Sequence, residues 1–311
     1  TGLSNIDDTA AAYFKEGLNS ACCARMTPDD AYSAMLSEML SQYKILSDVM
    51  QTNASIVNDY GKEKLSLGTT QKNIDYLESL CKTVYPELPE HQITFMDVPE
   101  ELEDGFSPAA YLVPPIDDAY DNIIIINQAT IGNSNDILST LAHEGYPGHL
   151  YQYVYQRSLT NTGFMRNAMN ITAYYEGWSQ YAEFFFANNT DKFDNDYCLM
   201  MMSDTMISTL LNSMVSIGVN AKGWDREETK EFLATMNLDQ DEIVDAYYSL
   251  AVDMPFYTIE YAMGYTQFMA ILRDVQKEKG SDFSYADFNK TYLDLGPSYF
   301  DLLEKRLVKE D

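Results

Sequence analysis

The chain has 311 residues, 46% of them hydrophobic and 13% aromatic, with 15 glycines and 10 prolines. That composition supplies a large apolar core and excludes a disordered, collagenous or low-complexity chain. A formal charge of −28, from 48 acidic against 20 basic residues, repels polyanions and disfavours nucleic acid and anionic lipid as partners.

No stretch approaches the roughly 20 apolar residues of a membrane-spanning helix. Cys22 and Cys23 are neighbours, Cys81 and Cys198 stand alone, and no C-x-x-C spacing suggests a zinc finger or a redox motif. The chain opens on Thr1 with no signal peptide and no methionine, as a trimmed or processed product would. No linker, low-complexity tract or repeat marks a boundary, so one catalytic domain over residues 1–311 is expected. Within it, 1–90 should be N-terminal helices, 91–130 a small sheet, and 131–311 the helical metal-site and C-terminal region. The fold class is therefore mainly α with a small β-sheet (α+β).

In chain order, Thr27-Pro28-Asp29-Asp30 is a cap, a first-turn proline and first-turn acids, and apolar residues follow at helical spacing to about Asn58. A second helix is predicted from Thr70 to about Tyr85, ended by Pro86 and Pro89. His91–Val98, Ala110–Val113 and Asn122–Asn127 read as strands. His91, at a strand edge beside Glu90, is expected to be a surface histidine with no catalytic part.

Asn135 and Asp136 then cap a helix that carries the motif around which the chain is organised, LAHEGYPGHLYQ. It holds two of the three histidines, His143 and His149, as H-E-x-x-x-x-H. In H-E-x-x-H the histidines lie about 400° apart around a helix and share a face. Here the turn is about 600°, which leaves the second ring roughly 120° off unless the helix is distorted. Pro147 and Gly148 supply the distortion, so a kinked or bulged helix should bring His149 back toward His143.

From Ala168 the pattern is helical almost to the end, and Met200–Met202 is expected to be core filler. Two histidines and a carboxylate are a standard catalytic zinc set. Glu176, on the next helix beside Gly177, is the best third ligand, and Gly177 lets a neighbouring backbone approach closely. Glu183, two turns on and on the same face, suits orienting a ligand or binding substrate. Glu144, directly after a ligand histidine, has the position of a general base. The Tyr257–Tyr265 stretch offers Tyr261 or Tyr265 as an oxyanion donor.

HEGYPGHLYQ, YEGWSQYAE, and PFYTIEYAMGY followed by ILRDV resemble the peptidase-like proteins called domain of unknown function 885. The likeness extends upstream to SPAAYLVPPIDDAYDNIIIIN and downstream to SDFSYADFNKTYLDLGPSYFDLL, roughly Ser107 to Leu303. It implies a gluzincin-like zinc metallopeptidase, with His143, His149 and Glu176 as metal ligands, Glu144 as catalytic residue, Tyr261 as the family tyrosine and a carboxylate-binding role for Arg273. It also implies a longer N-terminal half in whole members, and an extracellular or cell-envelope address, often as a lipoprotein. Leu150 and Asn220 stand where the family often has histidine. The expected function is hydrolysis of peptides with Zn2+. A peptide-binding or scaffolding lipoprotein, and a hydrolase of a non-peptide amide or ester, are the alternatives; endo-, amino- and carboxypeptidase modes stay open.

Overall fold

A computed structural model of the chain describes residues 1–131, 136–160 and 163–308. The N-terminal helices are α1 (Asp8–Cys22), α2 (Pro28–Thr52) and α3 (Thr70–Cys81). Thr27 caps α2 in a reciprocal capping box: its hydroxyl accepts from Asp30 N, and the Asp30 carboxylate accepts from Thr27 N. The helix stops at Thr52, short of Asn58, where Ser55 donates to Asn53 Oδ1 at 2.9 Å and the chain enters a 3-10 turn over Ile56–Asn58. Such local side-chain bonds compete with the helical ladder.

The three predicted strands form, each within a residue or two of expectation: β1 (Gln92–Asp97), β2 (Ala109–Leu112) and β3 (Asp121–Ile126). Their order is β1-β3-β2, with β1 parallel and β2 antiparallel to β3. Alternation along β3 buries Asn122, Ile124 and Ile126. β2 is an edge strand, and it packs beside the motif helix.

Beyond the sheet come α4 (Gln128–Ile131), α5 (Ile137–Glu144), α6 (His149–Ser158), α7 (Phe164–Ala168), α8 (Thr172–Asn189) and α9 (Asn195–Ala221). The last are α10 (Arg226–Ala234), α11 (Asp241–Asp253), α12 (Tyr257–Lys279), α13 (Tyr285–Leu295) and α14 (Phe300–Leu307). Asp136 caps α5 by accepting from Ser139 N at 3.2 Å. Asn135, also expected at this cap, lies outside the described residues.

α8 is buried on nearly every side, which its apolar run Trp178, Tyr181, Phe184, Phe185, Phe186 requires. It meets α12 backbone to backbone. A Cβ at Gly177 would fall 2.4 Å from Gly264 C and O, and one at Gly264 would fall 2.2 Å from Ala173 O. The close neighbour expected for Gly177 is thus Gly264, and the contact draws Glu176 and Tyr261 to the same cavity. Met200 and Met202 are buried in the core. All four cysteines are buried free thiols. Among the described residues, no helix is long and apolar enough to cross a membrane.

Candidate metal centre

Where one kinked helix was expected, two helices meet at a turn. α5 ends at Glu144, and Gly145 N closes it by donating to Leu141 O at 2.9 Å. Gly148 N then donates to Ala142 O at 2.9 Å and Tyr151 N to Gly145 O at 3.1 Å, each reaching six residues back. A regular helix reaches four. Two residues are therefore extruded from the ladder, and His149 takes the relation to His143 that a four-residue spacing would give.

The Tyr146–Pro147 peptide in this turn is cis. Trp178 Nε1 donates to Pro147 O at 2.6 Å and ties the turn to α8. The imidazole rings lie 4.8 Å apart, nearly perpendicular.

His143 Nε2 and His149 Nε2 lie 3.2 and 3.5 Å from Glu176 Oε2, and one ligand atom from each of the three residues falls within 4.8 Å of the others. Donors holding one tetrahedral ion at about 2.0–2.1 Å stand about 3.3–3.4 Å apart, close to the two imidazole–carboxylate separations. The far side of each ring is also engaged. His143 Nδ1 faces Glu183 Oε1 at 2.7 Å, and because a carboxylate accepts, Nδ1 carries a hydrogen there, which would leave Nε2 as the ligand atom once an ion replaces its proton. His149 Nδ1 pairs with Ser179 Oγ at 2.9 Å.

Electrostatics favour a positive species between these groups. Burial disfavours imidazolium at His143, but hydrogen bonds to Glu176 and Glu183, with the charge of Glu144, outweigh it and hold the pKa well above the ordinary histidine value. Burial likewise works against the Glu176 carboxylate, yet His149 and His143 hold its pKa far below the usual range.

Glu144 and Tyr261 line the same cavity as the three donors, a space of about 310 Å³ walled further by Tyr111, Tyr153 and Tyr175. Glu144 Oε2 accepts from Tyr111 N on β2 at 2.7 Å. Burial, then the nearby Glu176, raises the Tyr261 pKa, which keeps its hydroxyl protonated as a donor.

Two sequence candidates, Tyr265 and Arg273, are not brought to this cavity. Tyr265 is buried against Phe184 and accepts from Gln42 Nε2 at 3.4 Å. Arg273 donates to the buried Glu38 at 3.0 Å. Neither lines the cavity. Along α12 they lie about 6 and 18 Å beyond Tyr261 at 1.5 Å per residue. His91, expected at the surface, is half-buried, and its ring bonds Pro89 O and Tyr146 Oη. It borders a second cavity of about 470 Å³, which holds no comparable donor set among the described residues.

Ser179 and the backbone of Tyr111 were not foreseen. Ser179 had a signal, three residues after Glu176 on one helix face; Tyr111 had none, because its role depends on strand pairing. At the two departures from the family pattern, Leu150 is fully buried in the core. Asn220 accepts from Leu3 N at 3.1 Å and donates to Ser216 O and Ala251 O.

A family model described as bacterial protein of unknown function, DUF885, matches residues 7–307. The chain belongs to this family. Two solved structures share the fold of the DUF885 chain. One, described as "the putative lipoprotein" from Colwellia psychrerythraea, has TM-score 0.81 at 17% identity, covering 98% of this chain and 56% of that one. The other, "a putative lipoprotein of unknown function" from Shewanella oneidensis, has TM-score 0.70 at 14% identity, covering 96% of this chain and 59% of that one. The DUF885 chain thus spans little more than half the length of either. No curated protein matches its sequence.

Proposed function

We propose that this DUF885 chain forms the catalytic site of a zinc-dependent peptidase of gluzincin-like arrangement. The observation that carries the proposal is the convergence of His143 Nε2 and His149 Nε2 on Glu176 Oε2, at 3.2 and 3.5 Å, with Glu144 on the same cavity. Two imidazoles and one carboxylate, open on one side, are a ligand set of catalytic zinc. Zinc there would polarise a carbonyl and acidify water.

The chain's own groups supply the rest. Glu144 takes the proton from the attacking water and returns it to the leaving amine. Tyr261 donates to the oxygen on which charge develops. Glu183 and Ser179 fix the orientation of the two rings through their Nδ1 atoms. A peptide is favoured over other amides and esters because edge strand β2 contributes Ala109, Ala110 and Tyr111 to the cavity wall, and an extended chain can pair with such an edge. The description of both structural neighbours as lipoproteins supports a cell-envelope address.

The test is digestion of a broad peptide library by zinc-loaded protein, read by mass spectrometry. Glu144→Ala should keep its zinc and lose at least about 100-fold in rate. Zinc bound one per chain with no peptide cleaved would overturn the proposal. A scaffold would bind its partner equally well with either residue at 144.

A further inference from the structure

Apart from the two imidazoles, the charged groups lining the cavity are carboxylates. Glu144 and Glu176 line it, Glu183 stands behind His143, and Glu260 precedes Tyr261 on α12. Glu260 is half-buried and adjoins Tyr261, and burial, then Glu176, raises its carboxyl pKa. No lysine or arginine lines the cavity among the described residues.

The nearest arginine stands behind the wall: Arg157 does not line the cavity, although its charge is felt at Tyr111, Tyr153 and Tyr175. Arg157, on α6, donates to Pro114 O at 2.8 Å and Asp118 O at 3.2 Å, with its guanidinium 5.5 Å over the Tyr153 ring. Arg273 is paired with Glu38 at 3.0 Å. A divalent ion offsets two of the three nearest carboxylates and leaves the field negative before Glu260 is counted. In a half-buried setting these charges are felt more strongly than at the surface, and the chain's −28 adds long-range attraction for cations.

We propose that this cavity selects substrates carrying a positive group, ammonium or guanidinium, beside the bond to be cut, and rejects those that place a terminal carboxylate there. The selection deepens the peptidase reading and rests on it for turnover, but it is equally a statement about binding. Apart from the ion itself, a carboxylate terminus has no cationic side chain to meet in the cavity, and it faces Glu144 and Glu176 as like charges. The ammonium can come from a substrate's own N-terminus or from a lysine side chain, and the two sources share one recognition chemistry. This sets the mode against carboxypeptidase action.

The experiment uses one peptide frame in matched forms. With both ends blocked, the flanking residue is Lys, Gln or Glu; with Gln, either the amine or the carboxylate is left free. Binding to the zinc-loaded and the zinc-free chain is measured by calorimetry, and cleavage by mass spectrometry. The Lys or free-amine form should bind at least about tenfold tighter than the Glu and free-carboxylate forms. The ratio should shrink in high salt and on Glu260→Gln. A gain from either cationic source supports selection and identifies its origin. Equal binding of all forms, or tighter binding of the free carboxylate, overturns it. Cleavage without charge preference would sink this inference and leave the peptidase reading intact; charge-selective binding without cleavage would do the reverse.

Discussion

Gly148 stands against the carbonyl of His143 so closely that a Cβ at position 148 would fall 1.8 Å from that oxygen and 2.4 Å from Ala142 O. The two histidines meet only because residue 148 has no side chain. Gly148→Ala must push α6 away from α5, at a cost of about 3–4 kcal/mol, and should separate the imidazoles. Thermal melts and zinc stoichiometry check this: a variant with wild-type stability and one zinc per chain would show that the turn does not set the histidine geometry.

Glu183 acts through His143 Nδ1 at 2.7 Å. Glu183→Ala should weaken zinc binding about 10–100-fold, whereas Glu183→Gln, which keeps an acceptor oxygen, should lose less. Competition with a chromophoric chelator measures both. Equal losses in the two variants would mean that charge, not orientation, is what Glu183 contributes.

Gly264→Ala would set a methyl group 2.2 Å from Ala173 O. Forcing α12 off α8 should cost about 2–3 kcal/mol and move Tyr261 relative to Glu176, so peptide turnover should fall along with the melting temperature. An unchanged melt would show that the helices part without penalty.

Much of this arrangement is written in local sequence. The Thr27 cap, the Asp136 cap and the strand at NIIIIN are each decided by neighbours a few residues away, and they form as expected. Glu176 and Glu183 share a face for the same local reason, seven residues being close to two turns. Tyr111 N on Glu144 and Tyr146 on His91 depend on contacts 33 and 55 residues apart in the chain, which no periodicity encodes. Tyr265, offered by the tyrosine-rich stretch, and Arg273, offered by the resemblance, lie off the cavity, because neither signal says how far along α12 the cavity extends. The six-residue hydrogen bonds at Gly148 and Tyr151 show why H-E-x-x-x-x-H was only half legible: Pro147-Gly148 signals a distortion without saying that it breaks the helix in two.

Asp136 carries a pH signature. Burial raises its pKa from 3.8 to about 6, so the folded state holds the proton more tightly than the unfolded one. Its favourable contribution is complete below about pH 4 and is lost as pH rises through about 6. Asp136→Asn keeps the acceptor for Ser139 N and cannot ionise. Above pH 6 the variant should be more stable than wild type, by on the order of 2–3 kcal/mol at about 1.4 kcal/mol per pH unit, and the gap should close toward pH 4. Paired melts across this range cancel the common effect of the acidic surface; a gap that stays constant with pH would contradict the assignment.

The central claim concerns four residues acting as one centre, and its most direct test measures zinc content and peptide cleavage on the same samples of wild type, His149→Ala and Glu144→Ala. Wild type should hold one zinc and cleave, His149→Ala should lose both properties, and Glu144→Ala should keep the zinc and lose cleavage. A His149→Ala protein that binds zinc as tightly as wild type, or a Glu144→Ala protein that cleaves as fast, would contradict the account.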